Sequence, residues 1–281
     1  MNVKMQEKIA KVILWMAAII TVGFLLMIIG YIFKQGIGVI SLDFLLDNPR
    51  KMGAKGGIFP SIVGTVYLIV ATLFFAVPIG VGAAIYLNEY TREGKMVHII
   101  RFGTEALAGI PSIIFGLFGF AFFVILLEPI TGGWSILSGA LTGAIMVLPT
   151  IVRTSEEALK TVPLSYREGS LALGASRWQT ISRVVLPAAI PGVLTGIILS
   201  VGRVVGETAA LLLTLGGTLL LPHSFFDGAR TMSMHLYMVA METGAMEMAF
   251  GTGVVLIITI FIINTAAGLL RKRLEFTSGR R

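Results

Sequence analysis

Five stretches of this chain, each at least nineteen residues long, carry no Asp, Glu, Lys or Arg, and a sixth is interrupted only by one Arg and one Glu. A bilayer core of roughly 30 Å accepts about 20 helical residues, because every backbone amide there must find its partner inside its own segment. The windows are residues 12–33, 62–87, 106–127, 134–152, a long run within 184–226, and 248–270. The fifth crossing is expected to begin after Pro187, since a proline's missing amide is harmless in a first helical turn. The chain is therefore predicted to be an all-α integral membrane protein with six transmembrane helices. Only 13% of its residues are charged and 56% are hydrophobic, against about 25% charged in soluble domains.

The cations sort by side. One side of a six-span layout holds Lys4, Lys8, Lys11, Arg92, Lys95, Arg101, Arg153, Lys160, Arg167, Arg177, Arg183, Arg271, Lys272, Arg273, Arg280 and Arg281. The other holds Lys34, Arg50, Lys51, Lys55 and Arg230, and Arg203 sits within a span. The positive-inside rule then places both termini in the cytoplasm. The net charge of +7 is a topology signal that suits anionic lipid, and nucleic acid is not an expected partner. Residues 12–33 follow a basic leader, but the run is too long for a signal peptide, so it should remain as an anchor. With no Cys and single His residues at 98, 223 and 235, disulfides, thiol chemistry and a histidine metal cluster are unsupported. The outer loop 34–57 is expected to hold a short amphipathic element. The outer segment 216–247 is expected to pack against the membrane face.

The loop between Arg153 and Pro187 is dense with helix punctuation. Ser165 with Glu168 has the spacing of a capping box, and Gly174 suits a left-handed helix stop. Ser176 with Gln179 reads as a second capping box, opening a helix that runs towards Leu186 and Pro187. Thr154 with Glu157 has the same spacing, and Glu105 near Arg101 suggests an interfacial salt bridge. Two short capped helices at a glycine corner would form a compact knob.

Glu168-Gly169-Ser170, then Gly174, then Val184-Val185-Leu186-Pro187 resembles the Glu-Ala-Ala, x3, Gly, x9, Ile-x-Leu-Pro signature of binding-protein-dependent ABC importer permeases. The departures, Gly169 and Ser170 for alanine and Val184 for isoleucine, keep small or apolar character. The resemblance implies a type I ABC importer permease fold in which the knob is a cytoplasmic coupling helix docking on an ATPase. ATPase-coupling residues would be Glu168, Gly169, Ser170, Gly174, Leu186 and Pro187. The chain has no phosphate cradle of its own, since Gly94-Lys95 is followed by Met96 and lacks the upstream glycine. It is thus expected to be no enzyme, to bind no cofactor, and to rely on ATP and Mg held by the partner ATPase.

Arg203 lies 15 residues beyond Ala188, roughly 22 Å along a helix and past the middle of the core. A lone arginine there costs at least about 2.5 to 3.5 kcal/mol, and Glu207, four residues on, is placed to pair with it on one helical face. A buried pair is a weak source of stability, which favours a functional reading. Guanidinium suits a tetrahedral oxyanion, and a carboxylate beside it would accept the proton of a phosphate that fully deprotonated sulfate lacks. Gly202 and Gly206 read as a small face for close helix approach.

Gly202-Arg203-Val204-Val205-Gly206-Glu207-Thr208-Ala209-Ala210, together with 108–119 and 56–65, resembles segments of phosphate-specific importer permeases, with Ala209-Ala210-Leu211 favouring the A-type subunit. The resemblance implies substrate-path residues Arg203 and Glu207, joined by Thr208 and Ser112 as hydroxyl donors. It divides the chain into 1–55 (N-terminal segment, first span, outer loop), 56–273 (transmembrane type-1 domain) and 274–281 (cytoplasmic tail). Implied partners are a C-type permease subunit, two ATPase subunits, an extracytoplasmic phosphate-binding protein, inorganic phosphate and the lipid bilayer. The implied location is the bacterial or archaeal cytoplasmic (inner) membrane. A permease for sulfate or molybdate is the nearest alternative, and a secondary transporter or channel a more distant one.

Overall fold

A computed structural model describes residues 3–91 and 94–278. Arg92, Arg280 and Arg281, counted above among the inner charges, lie outside the described residues, as does the tail from 279 on. The helices are α1 (Val3–Gly36), α2 (Leu42–Leu46), α3 (Phe59–Ile85), α4 (Lys95–Ala108), α5 (Ser112–Gly119), α6 (Glu128–Thr131) and α7 (Ile136–Lys160). The knob follows as α8 (Leu164–Ala172) and α9 (Arg177–Thr180), then α10 (Leu186–Gly206), α11 (Ala209–Thr214), α12 (Met232–Met238) and α13 (Met246–Ser278). Wider π-helical turns extend α3 to Tyr90, α5 to Leu126 and α12 to Thr243, and join α9 to α10. Five helical runs are long and apolar enough to cross a membrane, and there are six when the bent pair α4–α5 is counted as one span.

α7 is the centre. Its apolar window is 67% buried inside the chain, whereas that of α1 is 0% buried and faces outward on every side. The difference is written in side-chain size: Ser138, Gly139, Ala140, Thr142, Gly143 and Ala144 let neighbours approach α7 closely, while α1 is lined with Leu, Ile, Phe and Met. Leu68 and Ala76 of α3 pack with Ile136, Val147 and Ile151 of α7, and Val204, Leu211 and Met234 close the same core. α1 attaches through α13, where Tyr31 meets Phe250 edge-on at 5.6 Å.

Several expected boundaries move. The expected window 106–127 is divided, because the chain turns by 101° between α4 and α5. Pro111 is the cause: it donates no amide and forces Ile110 out of helical geometry. α7 runs on to Lys160, past the expected end at 152. Its last turns are polar and tied down, with Arg101 Nε donating to Glu156 Oε1 at 3.0 Å and Lys160 Nζ 2.8 Å from the same oxygen. Thr154 caps nothing there, since its hydroxyl donates to the Thr150 carbonyl one turn back at 2.7 Å. The outer loop 34–57 holds one short helix, α2, capped by Ser41 and burying Phe44, followed by a two-stranded hairpin of β1 (Pro49–Arg50) and β2 (Lys55–Gly56). The segment 216–247 dips into the bundle instead of lying on its face. The Met232 amide donates to Thr65 Oγ1 of α3 at 3.0 Å, and Met232, Met234 and His235 are fully enclosed.

Candidate functional site

Sequence and local geometry meet at the end of α10. That helix stops at Gly206, and Glu207 takes extended backbone (φ −74, ψ 133) before α11 begins at Ala209. A residue four positions on shares a helical face only while the helix continues, so the expected Arg203–Glu207 ion pair does not form. Glu207 Oε1 instead accepts from the Ala210 amide at 3.1 Å and supplies the cap that α11 lacks. The Glu207 carbonyl accepts from Ser233 Oγ of α12 at 2.6 Å, which anchors the break to the re-entrant segment. Arg203 is left half-buried in the last turn of α10, where a cation complements the helix dipole, with no carboxylate beside it among the described residues.

Next to this break lies a cavity of about 520 Å³ lined by Ile113, Gly206, Thr208, Ala209, Leu212, Leu213, Ser233, Leu236, Tyr237 and Leu256. Thr208 is therefore on its wall, and Ser112, the first residue of α5, adjoins the lining residue Ile113. Arg203 is one turn back from the wall residue Gly206, and neither it nor Glu207 is on the wall. A Cβ on Gly116 would come within 2.7 Å of Ala210 Cα, and one on Gly119 within 2.9 Å of Thr214. The two contacts run in the same order along α5 and α11, so both half-helices start at the same end. The α11 terminus is already met by the Glu207 carboxylate, so the anion-favouring groups here are the start of α5 and the Arg203 guanidinium. Gly202 and Gly206 bring no helix of this chain close, because nothing among the described residues lies within 4 Å of a Cβ at either position. The close-approach pair on α10 is Gly192 and Gly196, which meet Ala158 and Thr154 of α7.

The knob is present in altered form. α8 starts at Leu164 after Pro163, and Ser165 sits inside the helix without capping it, so the first expected capping box is absent. The second is complete: Ser176 Oγ accepts from the Gln179 amide at 3.2 Å, and Gln179 Oε1 accepts from the Ser176 amide at 2.8 Å. Gly174 has φ +85, the left-handed stop that glycine adopts without strain. Ser170 Oγ lies 2.9 Å from Thr180 Oγ1 and joins α8 to α9. Glu168 and Gly169 are exposed, and nothing among the described residues packs on Gly169. α10 opens at Leu186 with Pro187 in its first turn, as expected, but it does not start there as a separate rod. A wide turn over Ile181–Val185, with the Leu186 amide reaching Ile181 O, absorbs the proline so that the rod from Arg177 to Gly206 continues through it.

Residues 76–276 match the family described as the binding-protein-dependent transport system inner membrane component. The chain belongs to that family. A probable ABC transporter permease protein, YqgI of Bacillus subtilis strain 168, is 36% identical over 284 residues, covering 95% of each chain. The phosphate transport system permease protein PstA of Pasteurella multocida is 34% identical over 75% of this chain and 74% of its own. Among solved structures, a bacterial ABC transporter that imports the acidic polysaccharide alginate superposes with a TM-score of 0.67 over 96% of this chain and 99% of its own, at 16% identity. The MetNI methionine transporter gives 0.59 over 75% and 94%, at 23% identity. These two likenesses concern the fold alone. The protein is a multi-span permease subunit, and ATP hydrolysis is not its own chemistry.

The permease also holds a polar pair that sequence reasoning passed over. His235 of α12 is enclosed, and neither ring nitrogen has a partner among the described residues. Burial first, and then the nearby Arg230 charge, push its pKa down to about 4. Arg230 is 5% exposed and donates from Nε to the Gly217 carbonyl at 2.8 Å. A spacing rule offered no signal for either residue, because both were assigned to an outer segment presumed to lie on the surface.

Proposed function

We propose that this permease is the A-type half of the pathway in an ATP-driven phosphate importer, with Arg203 as the anion-recognising side chain. The observation that carries the reading is a half-buried guanidinium at the broken end of α10 with no carboxylate among the described residues to neutralise it. An arginine left so in a membrane protein is costly unless an anion completes it at some stage of the cycle. The likeness to phosphate transport permeases supports phosphate as that anion. Glu207 spends one carboxylate oxygen on capping α11, leaving the other to accept the proton of hydrogen phosphate. Thr208 and Ser112 add hydroxyl donors from the cavity wall and the start of α5.

On this reading a C-type permease completes the pathway, an extracytoplasmic binding protein delivers phosphate, and two ATPase subunits carry ATP and Mg. The ATPase docks on the exposed outer face of the knob, where Leu164, Tyr166, Leu171, Leu173 and Trp178 stand clear of the chain around Glu168. Both termini are cytoplasmic. The test is ATP-driven uptake of labelled phosphate by the assembled complex in vesicles, with excess arsenate or sulfate as competitor. Inhibition by arsenate and indifference to sulfate are expected; inhibition by sulfate would transfer the assignment to another oxyanion.

A further inference from the structure

The inner side of the knob converges on one residue that neither the motif nor the pathway accounts for. Glu89 lies in the π-helical extension at the end of α3 and is 8% exposed. Its Oε1 accepts from Arg167 Nη2 at 2.7 Å and Nε at 3.2 Å, and its Oε2 accepts from Nε at 3.3 Å. The same guanidinium donates from Nη1 to the Val162 carbonyl at 2.8 Å and from Nη2 to the Leu159 carbonyl at 2.9 Å, at the end of α7. Arg167 thus ties α8 to two spans at once. Arg177, the first residue of α9, donates from Nη2 to the Glu89 backbone carbonyl and stacks its guanidinium 5.2 Å from the centre of the Tyr90 ring. Asn88 Nδ2 donates a third hydrogen bond to Glu89 Oε1 at 2.8 Å.

Both limbs of the knob are therefore held at Glu89. The two spans it joins are themselves closely packed, since a Cβ on Gly80 of α3 would meet Ile151 of α7 at 2.7 Å and one on Gly143 of α7 would meet Thr72 of α3 at 3.1 Å. A displacement applied to the knob has covalent routes back into α7, which ends at Lys160 just before α8, and onward into the rod from Arg177 to Gly206, but none into α3. Without Glu89, α8 could shift while α3 stayed behind, because α8 has no buried residue of its own. A planar fork filled on both edges transmits displacement better than a point charge on a flexible stem.

Resting on the transport reading above, we propose that Glu89 is the positioning residue that makes the knob, α3 and α7 move as one body, so that ATPase motion reaches both sides of the pathway. The test measures phosphate uptake and ATP hydrolysis together in vesicles holding the whole complex, with wild type, Glu89→Gln and Arg167→Lys. Wild-type uptake tests the transport reading; the ratio of uptake to hydrolysis in each variant, relative to wild type, tests the clamp, and is read with whichever anion the wild type carries. The expected result is hydrolysis near the wild-type rate with uptake per ATP lowered by about 2- to 30-fold in both variants. An unchanged ratio overturns the proposal. So does failure of both variants to assemble, because the residues would then hold the fold and transmit nothing.

Discussion

The rod from Arg177 to Gly206 carries an arginine near each end, and the two are treated in opposite ways. At the inner end Arg177 is saturated: it bonds a carbonyl and stacks on Tyr90, while its neighbour in the knob, Arg167, spends its guanidinium on Glu89 and two further carbonyls. At the outer end Arg203 has no carboxylate among the described residues, although Glu207 follows four positions later. Four residues separate partners in a helix only if the helix persists, and the break at Glu207 removes that condition. The arginine that serves the architecture is filled by the chain, and the one proposed to serve a ligand is left open.

The sharpest way to break this contrast is Arg203→Ala. If the open guanidinium binds the transported anion, uptake falls by about 30-fold or more, the scale of deleting one member of a desolvated charge pair, while co-purification with the ATPase persists. Arg203→Lys keeps the charge but loses the planar fork, so it should fall between the two. Labelled-phosphate uptake normalised to inserted complex is the measurement, and full uptake by Arg203→Ala would remove Arg203 from the pathway.

A second test concerns the rod itself, whose position depends on the approach of Gly192 and Gly196 to α7. Gly196→Leu forces a branched side chain against Thr154, and overpacking of this kind costs roughly 1–3 kcal/mol. A fall in the thermal midpoint of the detergent-solubilised permease would register it. Gly202→Leu, where nothing lies within 4 Å, should leave the midpoint in place.

Much of the fold was legible because its signals are local. Charge-free windows report a membrane span without help from neighbours, and Ser176 with Gln179 or Gly174 report a cap and a stop from the residues themselves. What escaped depended on where one element ends and another arrives. The Arg203–Glu207 spacing was read as continuous helix across Gly206. Pro187 does stand in the first turn of α10, but a wide turn upstream joins that helix to α9 in one rod. Gly202 and Gly206 had the small-residue spacing, but Gly192 and Gly196 had the neighbour. The Glu89 clamp joins residues 78 and 88 positions apart, and no motif within the knob announces a partner that distant.

The polar pair of the outer segment gives a pH test of saturation. His235 has a pKa pushed from 6.5 down to about 4 in the folded chain, so between those values the unfolded chain takes a proton that the folded one refuses. Its contribution to stability is fully present above pH 6.5, declines as pH falls, and is gone below about 4. Thermal midpoints of wild type should drop across that window more steeply than those of His235→Leu. Parallel slopes would mean that the ring is not held neutral.

The smallest effect is expected where a saturated group has substitutes. Ser176→Ala deletes the hydroxyl that accepts the Gln179 amide, and such a change costs about 1 kcal/mol when the cap stands alone. Here the Thr180 amide still bonds the Ser176 carbonyl at 2.9 Å, and Arg177 still grips Glu89. Hydrogen exchange at the start of α9 should therefore quicken by no more than about fivefold, close to 1 kcal/mol of local opening, with transport unchanged. A larger opening that spreads to Glu89 would show that the cap and the clamp act as a single unit, and that saturation at the inner end is cooperative rather than redundant.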